Sequence, residues 1–92
     1  MNKKDFLANV DKAINYGWGI KVFVNMPDLP KPEIICNPPE NVVGKREYYD
    51  KAYDDDMRLK TFNQISINAI QFLNLKLHTT LQELMKYLEQ SL

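Results

Sequence analysis

The sequence predicts a small α+β domain with the element order α-β-β-α-β-α, in which helices pack on one face of a three-stranded antiparallel sheet. Two observations lead to this class. Apolar residues switch between helical and strand periodicity along the chain, and the short connection between the first two strands favours antiparallel neighbours. A chain of 92 residues is long enough for one core, so positions 1–92 are expected to form a single domain.

The first two elements follow from the periodicity of the apolar residues. Between Asn2 and Tyr16 these residues recur at helical spacing, which predicts an amphipathic helix capped by Asn2 and ended by Gly17. From Gly19 to Met26 apolar and polar residues alternate, which predicts a strand with one buried face. The apolar faces of these two elements are formed by Phe6, Val10, Ala13, Ile14, Ile20, Val22, Val24 and Met26.

In the middle of the chain, residues typical of a strand are followed by residues typical of the start of a helix. A proline-rich connection excludes both helix and central strand, and the next five residues, Glu33 to Asn37, predict a second strand antiparallel to the first. Asn37 is the expected N-cap of a second helix that begins at Pro38, with Glu40 as the carboxylate of a capping box. Adjacent carboxylates oppose the negative end of a helix dipole, so this helix is expected to end near Asp54.

The segment from Ile65 to Leu77 fits two patterns. Alternation of apolar and polar residues predicts a third strand over about 64–72, with a bulge because Ile70 breaks the register, and the same alternation allows the strand to continue toward Leu77. The competing pattern is a long helix whose apolar residues recur at alternating spacings of three and four, as in a coiled coil. We favour the strand because β-branched residues favour extended backbone before Phe72.

After Thr80 the pattern is helical, and Glu83 stands where a capping box requires a carboxylate. The predicted helix, over 78–92, has more apolar positions than docking on a small sheet requires. It therefore either completes the core or pairs with a second copy in a homodimer. The oligomerisation residues in the second case are Leu77, Leu81, Leu84, Met85 and Leu88.

The composition argues against several classes of function. Twelve basic and twelve acidic residues leave no global charge that would attract nucleic acid. Cys36 and His78 are the only residues of their types and no orienting motif surrounds them, so we expect no catalytic residue and no enzymatic activity. We recognise no motif for a cofactor or a metal, no signal peptide and no membrane-spanning run, and therefore expect a cytoplasmic protein.

The best functional candidate is the stretch from Tyr48 to Asp56. It is predicted to present carboxylates and one aromatic ring on a helix face, which suits a basic groove on another protein. Trp18 lies between two glycines, where it either packs in the core or serves as an exposed anchor. A solvated helix face is the alternative, since nearby basic residues partly neutralise the patch. The partner-binding residues predicted on this basis are Trp18, Tyr48, Asp50, Asp54, Asp55 and Asp56.

The order of these motifs resembles a group of known proteins. The features in question are, in order, a strand, the motif Ile-Cys-Asn-Pro-Pro-Glu-Asn, a helix with Tyr-Tyr-Asp-Lys-Ala-Tyr-Asp-Asp-Asp and a β-branched strand. In this order the chain resembles small uncharacterised proteins of bacteriophages and prophages of Firmicutes. The resemblance covers about Gly19 to Phe72 and transfers a genomic setting but no active site. It implies a protein that binds and blocks a host enzyme or defence complex.

Three functions follow from these features. The first is a non-enzymatic phage or prophage accessory protein that binds and inhibits a host or defence protein through its acidic aromatic helix face. The second is a nucleic-acid-binding module whose affinity would fall steeply with salt. The third is a self-associating scaffold held by the leucines of the last predicted helix. The basic residues that the second function would use are Lys45, Arg46, Lys51, Arg58 and Lys60.

Overall fold

The computed structural model describes residues 1–73. Its elements are helices α1 (Lys3–Tyr16) and α2 (Pro39–Ala52) and strands β1 (Gly19–Asn25), β2 (Glu33–Asn37), β3 (Arg58–Leu59) and β4 (Phe62–Leu73). The last predicted helix, over 78–92, lies outside the described residues. The predicted oligomerisation residues Leu77, Leu81, Leu84, Met85 and Leu88 lie outside them as well.

The sheet has four antiparallel strands in the order β2-β1-β4-β3, so the α+β class is confirmed and the prediction of three strands is wrong. The missed strand, β3, pairs with the start of β4 through Arg58 opposite Ser66 and Leu59 opposite Phe62. A strand of two residues is too short to show alternation, which is why the sequence pattern did not indicate it.

The predicted third strand is β4, and it contains the predicted bulge. Phe23 of β1 lies opposite Ala69, whereas the next residue, Val24, lies opposite Ile67, so Asn68 is an extra residue in β4. This bulge lets Ile67 and Ile70 face the same side of the sheet although three positions separate them. The competing long helix is therefore wrong for the described part of this segment.

Both helices pack on one face of the sheet, as predicted. The antiparallel registers place alternate residues of β1 and β4 on that face, where they meet the apolar stripes of α1 and α2. Burial of these side chains is the main favourable contribution to the stability of so small a domain. The buried apolar residues are Phe6, Val10, Ala13, Ile20, Val22, Val24, Val42, Tyr49, Tyr53, Met57 and Ile67.

The caps of α1 are confirmed, but the predicted start of α2 is wrong. The Asn2 side chain accepts a hydrogen bond from the Asp5 amide, and Gly17 ends α1 in the left-handed conformation, with φ of 70°. Asn37 is not a cap, because it lies buried in β2 and its side-chain amide donates to the Tyr49 hydroxyl at 3.2 Å. Pro38 takes the cap position instead, since a residue that precedes a proline is held in extended conformation.

Candidate interaction surfaces

The predicted partner-binding residues separate into two groups at opposite ends of the helical layer. α1 and α2 run antiparallel, because Lys3 contacts Asp50 near the end of α2 while Asp11 pairs with Arg46 farther towards its start. Trp18 follows the end of α1, whereas Tyr48 and Asp50 lie in the last turns of α2 and the other carboxylates follow its end. A helix of 14 residues is about 20 Å long, so the structure does not bring Trp18 and the carboxylates into one site.

The carboxylates after α2 belong to a tight turn, which we call the acidic turn (residues 54–58). The Asp54 carboxylate accepts hydrogen bonds from the backbone amides of Asp56 at 2.9 Å and Arg58 at 3.0 Å. The bond from the Arg58 amide is the main reason that the pKa of Asp54 lies below its ordinary value. Asp54 therefore acts first as a local cap that shapes the chain.

The acidic turn contains a core residue that the sequence pattern did not indicate. Met57 is fully buried and adopts a left-handed backbone conformation, with φ of 59°. Its amide donates to the Asp54 carbonyl at 3.0 Å, and its carbonyl accepts from the Ile67 amide at 2.9 Å. These bonds hold a conformation that is uncommon for a residue other than glycine. Asp55 and Asp56, which directly precede Met57, are exposed.

The other carboxylates of this group also have cationic or backbone partners. The Asp50 carboxylate lies 3.7 Å from the Lys3 ammonium group, and the Asp55 carbonyl accepts from the Lys3 amide at 2.8 Å. Asp56 lies 3.9 Å from the Arg58 guanidinium group. The acidic turn is thus anchored to the first residues of α1, and two basic side chains offset part of its negative charge.

Tyr48 is the exposed member of a tyrosine cluster on α2. Its side chain is 47% exposed, the Lys45 ammonium group lies 5.1 Å from its ring centroid, and its ring meets Tyr53 edge to face at 6.1 Å. Burial, reinforced by the neighbouring hydroxyls, raises the pKa of Tyr53 to about 12. Burial also raises the pKa of Tyr49, although the Asn37 amide acts in the opposite direction. These neighbours hold Tyr48 over the core.

Trp18 belongs to a second aromatic group, the aromatic corner, which consists of Tyr16, Trp18 and Phe72. The Tyr16 and Trp18 rings stack with centroids 4.8 Å apart, and Trp18 meets Phe72 at 5.3 Å. Tyr16 is 62% exposed and Phe72 is 38% exposed, while Trp18 packs partly against the core. The Lys12 ammonium group lies 5.8 Å from the centroid of the Phe72 ring. The corner thus joins three aromatic rings to one basic side chain.

Two glycines hold the corner in place. The left-handed conformation of Gly17 turns the chain out of α1, and its Cβ-free backbone carries no steric penalty there. Gly19 then passes so close to β2 that an added Cβ would lie 2.5 Å from the Asn37 carbonyl oxygen. Phe72 arrives from β4, where it lies opposite Ile20. Sequence reasoning identified Trp18 but missed Phe72, because only the pairing of β1 with β4 brings the two rings together. It also missed Tyr16, although this residue lies only two positions before Trp18.

The basic residues of the nucleic-acid hypothesis are mostly engaged with neighbours. Arg46 donates two hydrogen bonds to the Asp11 carboxylate, and Lys51 contacts Glu47 one helical turn away. The Asp11 contact is the main reason that the pKa of Arg46 is raised. Lys45 lies over Tyr48, as described above. These interactions divide the basic residues among separate pairs and do not form a continuous positive stripe for a phosphate backbone.

Within the described residues, the structure shows no group of three or more side chains with the chemistry to hold a metal ion. None of the helices in residues 1–73 is both long and apolar enough to cross a membrane. Comparison of the chain with protein-family models, with curated proteins and with solved structures gives no match.

Proposed function

We propose that this protein is a non-catalytic binding module whose main contact surface for another protein is the aromatic corner. The observation that carries the proposal is the set of three adjoining aromatic rings, two of which are substantially exposed beside Lys12. Tryptophan and tyrosine are enriched among the residues that dominate binding energy at protein interfaces. An exposed cluster of this kind is a stronger feature than single exposed apolar residues, which are common on protein surfaces.

The stacking of Tyr16 on Trp18 favours binding for an energetic reason. Fixing a flexible side chain at an interface costs about 0.5–1.5 kcal/mol, and rings that already rest against each other lose less freedom. The partly buried Trp18 supports the exposed Tyr16 ring from below. The rings of the corner therefore hold their arrangement before a partner binds.

The chemistry of the corner also indicates what the partner presents. The aromatic rings suit an apolar side chain, and Lys12 suits a carboxylate close to it. The resemblance to phage and prophage proteins makes a host or phage protein the partner that we propose, with inhibition of that protein as the consequence. Tyr48 and Asp50, at the other end of the helical layer, form a second contact region only if the partner is large enough to reach both ends.

The experiment uses the tagged protein and two matched variants. Tyr16→Ser removes the most exposed ring of the corner, and Val43→Ser removes a similarly exposed apolar side chain from α2, outside the corner. Each protein is incubated with a Firmicute lysate, with and without nuclease treatment, and retained proteins are quantified by mass spectrometry. A partner retained stoichiometrically is then purified and titrated against each variant by calorimetry.

We expect Tyr16→Ser to weaken binding of that partner by roughly tenfold or more, as truncation of an interface hot spot does. Val43→Ser should leave the affinity unchanged. Equal affinity of the partner for both variants would assign the contact to another surface. Retention that disappears with nuclease would favour the nucleic-acid function instead.

A further inference from the structure

β4 extends beyond its neighbour on the outer side of the sheet. On its inner side β1 pairs with β4 as far as Leu73, whereas β3 pairs only with the start of β4, up to Ser66. The next contact on the outer side is the Met57 carbonyl, which accepts from the Ile67 amide before the chain turns away. Within the described part of the chain, no strand pairs with this side of β4 after Ile67. We call this stretch, residues 69–73, the open edge.

Two residues of the open edge direct their backbone amide and carbonyl groups away from β1. The Ile67 amide donates to the acidic turn, so Ile67 belongs to a pair without hydrogen bonds to β1. Pairs with and without hydrogen bonds alternate along β1, which places Ala69 and Gln71 in hydrogen-bonded pairs. Ile70 and Phe72 belong to the other kind of pair, and their amide and carbonyl groups therefore face outward.

The sequence of the open edge does not protect it from an added strand. Edge strands commonly carry charges or prolines that prevent another strand from pairing with them. The outer side of β2 has such protection, since Pro32 and Pro38 flank the strand and Glu33 begins it. Residues 69–73 contain neither a proline nor a charged side chain. The open edge is therefore the better of the two strand edges for accepting an extended segment.

The open edge and the aromatic corner meet at Phe72. This residue lies opposite Ile20, which places its ring on the helix side of the sheet, 5.3 Å from the Trp18 ring and 5.8 Å from the Lys12 ammonium group. Lys12 and Tyr16 are four positions apart and lie on the same side of α1. A strand added to the open edge lies about 5 Å from β4, so every second side chain of it faces these groups.

We propose that the partner of the aromatic corner binds as an extended segment that adds a strand to the open edge. This inference rests on the proposed function, because the same partner contacts the rings. The backbone of the segment pairs with the outward groups of Ile70 and Phe72, and an apolar side chain of the segment packs on the Phe72 ring. A neighbouring carboxylate meets Lys12, which pairs with no carboxylate of the described residues.

A second copy of the chain is the competing occupant of the open edge. Two copies that pair edge to edge are related by a two-fold axis, which passes near Gln71 in the middle of the open edge. Phe72 lies one residue from this axis, so the two Lys12 ammonium groups, each beside its own Phe72 ring, approach each other. Like charges on neighbouring strands are destabilising. Charge therefore favours a different partner that brings a carboxylate.

Hydrogen exchange of individual amides, measured by NMR on the full chain, tests the proposal. In the protein alone we expect the amides of Ile70 and Phe72 to exchange at least roughly tenfold faster than those of Ala69 and Gln71. The probes are eight-residue peptides, selected from a random displayed library on the immobilised protein and then synthesised. A bound peptide should slow the exchange of Ile70 and Phe72 by roughly tenfold or more and leave Ala69 and Gln71 unchanged.

Two variants at one position separate the backbone from the side chain. Ile70→Pro removes an outward amide together with the isoleucine side chain, whereas Ile70→Ala removes only the side chain. We expect the selected peptides to bind Ile70→Pro roughly fivefold or more weakly than Ile70→Ala, because one hydrogen bond to the added strand is lost. If Ile70→Pro fails to fold, the same peptides with alternate amides N-methylated make the comparison on the unmodified protein.

Three results would overturn the proposal. The first is slow exchange at Ile70 and Phe72 in the protein alone, which would show that the open edge is already covered. The second is a library that yields no binding peptide. The third is a peptide whose affinity falls with Tyr16→Ser but which leaves the exchange of Ile70 and Phe72 unchanged. That result would keep the aromatic corner as the contact surface and remove only the added strand, so failure of this inference is distinct from failure of the proposed function.

Discussion

The acidic turn and the aromatic corner lie at opposite ends of the helical layer, and they use their conspicuous side chains in different ways. In the acidic turn the Asp54 carboxylate binds two backbone amides and Met57 enters the core. In the aromatic corner the Tyr16 ring is mostly exposed and rests on Trp18, which is itself only partly buried. Charge alone is therefore a poor guide to a binding site, because carboxylates also serve to shape a turn.

Met57, which the acidic turn places in the core, is expected to contribute most to stability. Met57→Ala should lower the free energy of unfolding by about 2–5 kcal/mol, because it leaves a cavity beneath the turn. Leu29→Ala, at a position 52% exposed in the proline-rich connection, serves as the control and should change stability by less than about 0.5 kcal/mol. Urea denaturation measures both. Similar effects of the two substitutions would show that the acidic turn is not a structural anchor.

The geometry of the aromatic corner depends on Gly19. Gly19→Ala should destabilise the fold by about 1–3 kcal/mol or more, because the added methyl group meets the Asn37 carbonyl of the neighbouring strand rather than a flexible side chain. Gly44→Ala is the matched control, since it meets no atom within 4 Å and lies inside α2. That control should raise stability by roughly 1 kcal/mol. A neutral Gly19→Ala variant in denaturant titrations would mean that β1 and β2 do not approach as described.

The pH dependence of stability tests the role of Asp54. Its pKa is lower in the folded state than the ordinary value of 3.8, so its contribution is full above about pH 4 and is lost as the pH falls through the folded-state pKa. Asp54→Ala should lower the thermal unfolding midpoint at neutral pH and flatten the loss of stability on acidification. Asp55→Ala is the control, because only the backbone carbonyl of Asp55 is engaged. Superimposable pH profiles of the two variants would contradict the capping role.

The smallest effect on stability is expected at the aromatic corner. Tyr16→Ser should lower the free energy of unfolding by less than about 1 kcal/mol, because an exposed stacked ring contributes little to folding. Thermal and urea unfolding of this variant provide the measurement. A larger loss would show that the corner is part of the structural core and that its rings are not free to serve a partner.

Most of the fold could be predicted from the sequence because its periodic signals are strong. The caps of α1, the alternation of β1 and the broken register at Ile70 each correspond to an observed feature. Asn37 misled the prediction because its side chain satisfies either a helix cap or a buried partner, and only the fold provides Tyr49. β3 was missed because a strand of two residues is too short to show alternation of apolar and polar residues.

The site was harder to predict than the fold. The acidic stretch was predicted as a binding site because its charges are consecutive. The Asp54 carboxylate caps the turn through hydrogen bonds that form only when the turn closes. Phe72 is far from Trp18 in the sequence and reaches the Trp18 ring through the pairing of β1 with β4. A contact made by strand pairing leaves no local motif, which is why Phe72 was missed, whereas Tyr16 lies only two residues before Trp18 and could have been identified from the sequence.

The affinity of the identified protein partner for two variants, measured side by side, decides which end of the helical layer binds. One is Tyr16→Ser in the aromatic corner, and the other is the double variant Asp55→Ser and Asp56→Ser, which removes two exposed carboxylates but keeps the Asp54 cap. We predict that Tyr16→Ser weakens binding by roughly tenfold or more while the double variant binds like the unmodified protein. Loss of binding in the double variant, with full affinity in Tyr16→Ser, would contradict this account and return the binding site to the acidic turn.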